Sequence, residues 1–78
     1  MMKTYARVIN VPEYPPREKH STILNGFDEL SSGELLQIVN DHDSRPLHYQ
    51  FMMERTEQFT WEYLEEGPEI WRVAIGKK

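Results

Sequence analysis

The stretch from Asn40 to Phe51 holds the densest group of side chains able to do chemistry. It contains two of the three histidines, two acids and an arginine, and it directly follows an apolar run. The candidate ligand or partner surface consists of Asn40, Asp41, His42, Asp43, Arg45 and His48. Imidazole and carboxylate groups together suit iron or zinc, so His42, His48 and Asp41 are candidate metal ligands.

A purely structural role is the alternative for the same residues. No standard metal-ligand spacing such as H-x-x-x-H joins His42 and His48, although His20 on an earlier helix would add a third imidazole if it lies nearby. In the structural interpretation Asp43 caps a helix, His42 lies in a loop and His48 belongs to a helix face. The metal site and the structural role both remain open at the level of sequence.

Two further kinds of chemistry are possible in this stretch. Arg45 in the first turn of a helix would favour a carboxylate or phosphate, but Asp41 and Asp43 oppose an anion. A histidine would suit general acid–base catalysis near neutral pH. No nucleophile is evident, because the chain has no cysteine and Ser44 has no base at a diagnostic spacing. We therefore expect a binding protein rather than an enzyme.

The sequence patterns predict four strands and two helices. Residues 5–10 predict a strand that ends at Pro12, and Pro15-Pro16 precede a helix over 17–30 that closes at Ser31-Ser32-Gly33. The apolar run 34–40 predicts a central strand, buried on both faces of the sheet. A helix over 44–55, with Pro46 in its first turn, then leads to a hairpin of strands over 58–64 and 70–75 around Gly67-Pro68.

The element order β-α-β-α-β-β predicts an α+β, two-layer α/β sandwich. Right-handed crossovers put both helices on one face of a four-stranded mixed sheet. Phe59, Trp61 and Tyr63 alternate along one strand, and we expect them beneath the helices. If they faced outward instead, they would form a dimer or partner surface.

Composition narrows the class of protein. Seventy-eight residues are expected to form one domain over 1–78, and the absence of cysteine excludes disulfides, a persulfide carrier and thiolate metal sites. The formal net charge of −4 and scattered basic residues argue against nucleic acid as the main partner. Residues 1–5 lack the apolar core of a secretory signal, and no stretch would span a membrane, so we expect a cytoplasmic protein.

Nearly the whole chain resembles the TusA/SirA family of small domains. The resemblance is carried by the element order, the prolines before the first helix, and three motifs. The motifs are Asn40-Asp41-His42-Asp43 followed by Pro46-Leu47 and Tyr49-Gln50, Trp61-Glu62-Tyr63-Leu64, and Gly67-Pro68 ahead of Trp71. They resemble an uncharacterised branch that occurs alone or fused to hemerythrin-like domains.

The sequence departs from the sulfur carriers of that family at one decisive position. TusA-like carriers have a cysteine followed by proline at the start of the first helix, whereas this chain has Glu13-Tyr14-Pro15-Pro16. Persulfide transfer by this chain is therefore chemically excluded. The resemblance implies a TusA-like scaffold, a protein partner that is hemerythrin-like or redox-active, and a context of redox, iron or nitrogen-oxide metabolism.

Two hypotheses about function follow. The preferred one is a non-enzymatic binding or interaction module that uses the surface from Asn40 to Arg45 and the adjoining helix ends. The alternative is a metal-dependent catalytic or metal-delivery protein that holds iron or zinc through His42, His48 and a neighbouring acid.

Overall fold

A computed structural model describes residues 4–78 of the chain. Its elements are β1 (Arg7–Asn10), a short 3-10 turn (Val11–Glu13), α1 (Pro16–Asp28), β2 (Leu35–Asn40), α2 (Arg45–Glu54), β3 (Phe59–Glu66) and β4 (Trp71–Lys77). The predicted order β-α-β-α-β-β and the α+β class are confirmed. The expectation that residues 1–5 form no secretory signal concerns, in part, residues 1–3, which lie outside the described residues.

The four strands form one mixed sheet in the order β1-β2-β4-β3. Strands β1 and β2 are parallel, whereas β4 is antiparallel to both β2 and β3. Since β2 lies between β1 and β4, its prediction as a central strand is confirmed. Strand β3 occupies the edge opposite β1.

The predicted burial of β2 on both faces is wrong. Leu36, Ile38 and Asn40 are buried, but the alternating residues Leu35, Gln37 and Val39 are only half-buried. Successive residues of a strand point to opposite faces, so the helices cover one face of the sheet and leave the other partly open to solvent.

The core lies between the covered face of the sheet and both helices. It is one continuous cluster of Ile9, Val11, Ile23, Leu24, Phe27, Leu30, Leu36, Ile38, Leu47, Phe51, Val73 and Ile75. The two helices meet within it through the edge-to-face contact of Phe27 with Phe51, whose ring centroids lie 5.2 Å apart. Since buried residues of α1 and α2 belong to the same cluster as Leu36 and Ile38, which share one face of β2, both helices lie on that face, as predicted.

The fold explains why glycine is present at two positions, Gly33 and Gly26. Gly33 adopts the left-handed conformation, with φ of +89°, in the predicted turn after α1. Gly26 is buried where α1 crosses β1, and a Cβ there would lie 3.2 Å from Cδ1 of Ile9. Gly26, which weakens the helical pattern in the sequence, therefore allows α1 to approach the sheet closely.

Candidate functional site

Two buried polar side chains fix the turn between β2 and α2. Asn40 is the last residue of β2 and Ser44 immediately precedes α2; they are 7% and 4% exposed. Nδ2 of Asn40 donates to Oγ of Ser44 at 3.2 Å, and Oδ1 of Asn40 accepts from the backbone N–H of Asp41 at 2.9 Å. The strand end and the helix start are thereby held together, so the intervening polar residues form a tight turn.

Asp43 does not cap α2, and the predicted cap is therefore wrong. Its Oδ1 accepts from the hydroxyl of Tyr63 on β3 at 2.8 Å, and its Oδ2 accepts from Nη2 of Arg45 at 3.5 Å. Ser44 occupies the N-cap position without a side-chain capping hydrogen bond. The free amides of the first turn of α2 are therefore not satisfied by a side-chain cap.

Tyr63 and Asp43 connect the turn to the sheet edge. Burial and the hydrogen bond to Asp43 both raise the pKa of the Tyr63 phenol. The Asp43 side chain is 28% exposed, so the bond lies at the boundary between solvent and the covered face of the sheet.

His42 pairs with its neighbour Asp41 on the outside of the turn. Nδ1 of His42 lies 2.6 Å from Oδ1 of Asp41, and both side chains are about two-thirds exposed. The hydrogen bond with His42 is the main cause that lowers the pKa of the Asp41 carboxyl. Since a carboxylate only accepts, the structure assigns the Nδ1 proton to His42.

His48 lies on the sheet side of α2, against the aromatic residues of β3. Its ring stacks on Trp61 with centroids 4.3 Å apart and planes 5° from parallel, and the Phe59 ring is 6.0 Å away, edge-on. Burial lowers the pKa of His48, with partial opposition from the nearby charge of Asp43. This histidine is part of a packed aromatic group.

The predicted metal ligands are thus only partly brought together. Asp41 and His42 are in contact, while the ring of His48 stacks on Trp61 instead. Within residues 4–78, no group of three or more histidine, aspartate or glutamate side chains is placed so that it would hold a metal ion. The physical reason is that α2 begins between the two histidines and directs His48 toward β3.

The prediction that the β3 aromatics lie beneath the helices is confirmed. Phe59, Trp61 and Tyr63 are half-buried and pack on the core cluster. Phe51 of α2 contacts Phe59 and Trp61 with centroid distances of 5.3 and 5.9 Å. They close the side of the domain opposite β1.

A pocket of about 60 Å³ opens on the other side of the turn, between α1 and the start of α2. It is lined by Val11, Lys19, His20, Ile23, Asn40, His42, Ser44, Pro46 and Leu47. Asn40 and His42 are the members of the predicted surface that reach it; Asp41, Asp43, Arg45 and His48 do not line it.

Two of the lining residues, Lys19 and His20, come from α1. The sequence offers His20 only as a possible third imidazole, and it contains no signal that points to Lys19. Nδ1 of His20 lies 2.7 Å from Oε1 of Gln50, which ties α1 to α2 across the pocket. Both residues precede Ile23, a buried core residue, by one helical turn, and this spacing places them beside the core-facing side of α1.

Within the described range 4–78, no helix has the length and apolar character that a membrane-spanning segment requires.

Comparison with known proteins gives one match. A family profile described as "Uncharacterized conserved protein (DUF2249)" covers residues 8–77. No curated protein and no solved structure matches the chain. The matched range extends from β1 to the end of β4 and includes every residue that lines the pocket. The chain therefore belongs to the DUF2249 family of uncharacterized conserved proteins.

Proposed function

We propose that this protein is a non-enzymatic binding or interaction module. Its working surface, called here the turn surface, comprises residues 40–45 and the adjoining ends of α1 and α2. The observation that carries the proposal is the pocket of about 60 Å³ at the carboxyl end of the central strand β2. Ligand sites in α/β sheets commonly lie outside the carboxyl ends of strands, which supports this choice of surface.

Binding is favoured over catalysis by the state of the polar groups at the pocket. Ser44 is 4% exposed and its hydroxyl accepts a hydrogen bond from Asn40, so it is not paired with a base. The Nδ1 atoms of His20 and His42 are hydrogen-bonded to Gln50 and Asp41, not to a nucleophile. These groups are arranged to hold a ligand or a partner side chain.

The scaffold is proposed to be TusA-like, without the sulfur-carrier cysteine. This proposal is supported by the element order and by Pro15 and Pro16 at the start of α1. The resemblance suggests a protein partner of hemerythrin-like or redox type, and a cytoplasmic location remains a prediction of the sequence. A metal-dependent function is not carried forward, because the ring of His48 stacks on Trp61 while His42 pairs with Asp41.

Site-specific photo-crosslinking tests the turn surface directly. A photoreactive phenylalanine analogue would replace Arg45, whose side chain is 68% exposed at the start of α2. Matched positions are Met53, which is 83% exposed near the other end of α2, and Val8, which is 58% exposed on the open sheet face. Crosslinking in cells, followed by mass spectrometry of the adducts, identifies the partner.

The proposal predicts a discrete adduct from position 45 and none from positions 53 and 8. Adducts from position 8 alone would move the interface to the open face of the sheet. The absence of an adduct at all three positions would remove the support for an interaction module.

A further inference from the structure

The geometry points to an oxyanion, a carboxylate or phosphate group, as the ligand of the pocket. This inference rests on the proposed function and specifies what the turn surface binds. It differs from the sequence expectation, in which Arg45 supplied the positive charge, because Arg45 does not line the pocket and is directed to Asp43.

The charge of the lining is the first property of the pocket that favours an anion. The ionisable residues that line the pocket are Lys19, His20 and His42, and no acid lines it, although the whole chain has a net charge of −4. The nearest opposing charge is Asp41, which lies outside the lining and is hydrogen-bonded to His42. Lys19 is close enough to Asp41 to lower the pKa of its carboxyl, after larger effects from His42 and the turn itself. The pocket is therefore a locally basic site in an acidic protein, with one carboxylate at its rim.

Hydrogen-bond donors at the base of the pocket are the second property that favours an anion. Asn40 and Ser44 are both more than nine-tenths buried and line it. Nδ2 of Asn40 has two hydrogens and donates one bond, to Ser44. That bond uses neither the second amide hydrogen of Asn40 nor the hydroxyl hydrogen of Ser44. These donors suit a ligand that only accepts.

The start of α2 adds to these donors. Ser44, Pro46 and Leu47 line the pocket, and no side chain caps the helix. The aspartate that the sequence placed on those amides, Asp43, is instead bound to Tyr63. Uncapped amides and the positive end of the helix dipole favour an anion. Asp43, one of the two acids that oppose an anion in the sequence, therefore does not occupy these amides.

Two histidines, His20 and His42, also line the pocket. In His20 and His42, Nδ1–H faces an acceptor oxygen, of Gln50 and of Asp41 respectively. Among residues 4–78, Nε2 of each ring has no hydrogen-bond partner. An imidazolium donates from both nitrogens, so in that form each ring has an Nε2–H that can donate to an oxyanion in the pocket.

The Nε2 atoms of His20 and His42 could also bind a metal ion, but the surroundings favour an anion. A metal would have only two imidazole ligands here, beside the ammonium of Lys19 and the positive end of α2. Both charges repel a cation and attract an anion. The pocket also has room for several water-sized groups, which is enough for one carboxylate or phosphate.

Amide NMR titration with inorganic phosphate, and in a second arm with the capped peptide Gly-Glu-Gly, tests the inference. Sodium chloride at equal ionic strength is the reference for each arm, at about pH 6.5 where histidine can protonate. We expect saturable shifts of the Ser44 and Leu47 amides in at least one arm. The arm with the tighter Kd indicates whether the source is a free ion or an acidic side chain of a partner.

Two variants that change the charge near the pocket in opposite directions make the test specific. Lys19→Gln should weaken binding roughly threefold, whereas Asp41→Asn, whose amide oxygen still accepts from His42, should strengthen it roughly threefold. Arg17→Gln and Glu18→Gln carry the same charge changes on exposed positions of α1 and should leave Kd unchanged. Equal effects of Lys19→Gln and Arg17→Gln would indicate long-range attraction and overturn a pocket site.

Two other results would also overturn the inference. One is the absence of saturable shifts at Ser44 and Leu47 in both arms. The other is a response of His20 and His42 to zinc that phosphate does not compete with. An adduct from position 45 in the crosslinking experiment, together with either result, would leave the interaction module intact and reject only its oxyanion ligand.

Discussion

Replacement of Tyr63 by phenylalanine tests how the turn surface is held. The hydroxyl of Tyr63 donates to Oδ1 of Asp43 at 2.8 Å, and the ring, which packs on the core cluster, would remain. Hydrogen bonds to charged groups contribute about 1.5–3 kcal/mol. The Asp43 side chain is 28% exposed and can regain water and Arg45, so we expect the lower end, a loss of about 1.5 kcal/mol. For a domain of this size, that loss lowers Tm by roughly 6–12 °C.

The raised pKa of the Tyr63 phenol, caused by burial and by the hydrogen bond to Asp43, makes this loss depend on pH. The pKa of Tyr63 is raised in the folded state, so the bond stabilises fully below the unfolded pKa of about 10 and is lost at higher pH. The difference in unfolding free energy between the wild type and Tyr63→Phe should therefore shrink as the pH rises above about 10.

Urea unfolding followed by tryptophan fluorescence measures these differences. Tyr49→Phe is the matched control, because Tyr49 is 57% exposed on α2 and should change stability by less than about 0.5 kcal/mol. A loss for Tyr63→Phe no larger than that of the control, or a loss that is constant up to high pH, would refute the assignment of Asp43 to Tyr63.

Three further changes test the fold that supports the site. Phe51→Ala removes a fully buried ring and should cost about 3–5 kcal/mol of unfolding free energy in a urea titration, whereas Met53→Ala, at 83% exposure, should be nearly neutral. Gly67→Ala places a Cβ 2.8 Å from the Trp71 ring at φ of +66°. It should lower Tm more than Gly33→Ala, where φ is also positive but the space around the Cβ is open. Equal losses of Tm in the two variants would show that backbone strain, without the contact with Trp71, accounts for both. Arg55→Gln breaks the two 2.8 Å bonds to Asp28 and should cost up to about 1 kcal/mol. Because the pKa of Asp28 is lowered, that cost should disappear as pH falls below about 4, and a cost that persists in acid would contradict it.

Local patterns in the sequence were sufficient to predict the fold. The apolar run that ends at Asn40, the proline starts of both helices and the alternation from Phe59 to Tyr63 each specify an element by its own neighbours in the chain. Parallel crossovers then leave few possible arrangements of two helices on four strands. The open face of β2 was missed because apolar residues at Leu35 and Val39 imitate a strand covered on both sides.

The candidate site was less predictable, since its contacts join distant parts of the chain. Asp43 has the position and residue type of a helix cap, yet Tyr63, twenty residues later, binds it. His42 and His48 are close in sequence, but one lies in the turn and the other stacks on Trp61 of β3. His20 reaches the pocket only because α1 and α2 pack side by side, and this packing is not visible in the local pattern.

The most direct test of the account follows the three histidine ring signals during a phosphate titration. The account predicts that His20 and His42, which line the pocket, shift together and saturate at one Kd. The His48 ring is stacked 4.3 Å from Trp61, so the indole ring current should shift the resonances of its ring protons already in the free protein. These resonances should not change during the titration. A shift of His48 together with His42, or the absence of any response from His20, would contradict the placement of the ligand site between α1 and the start of α2.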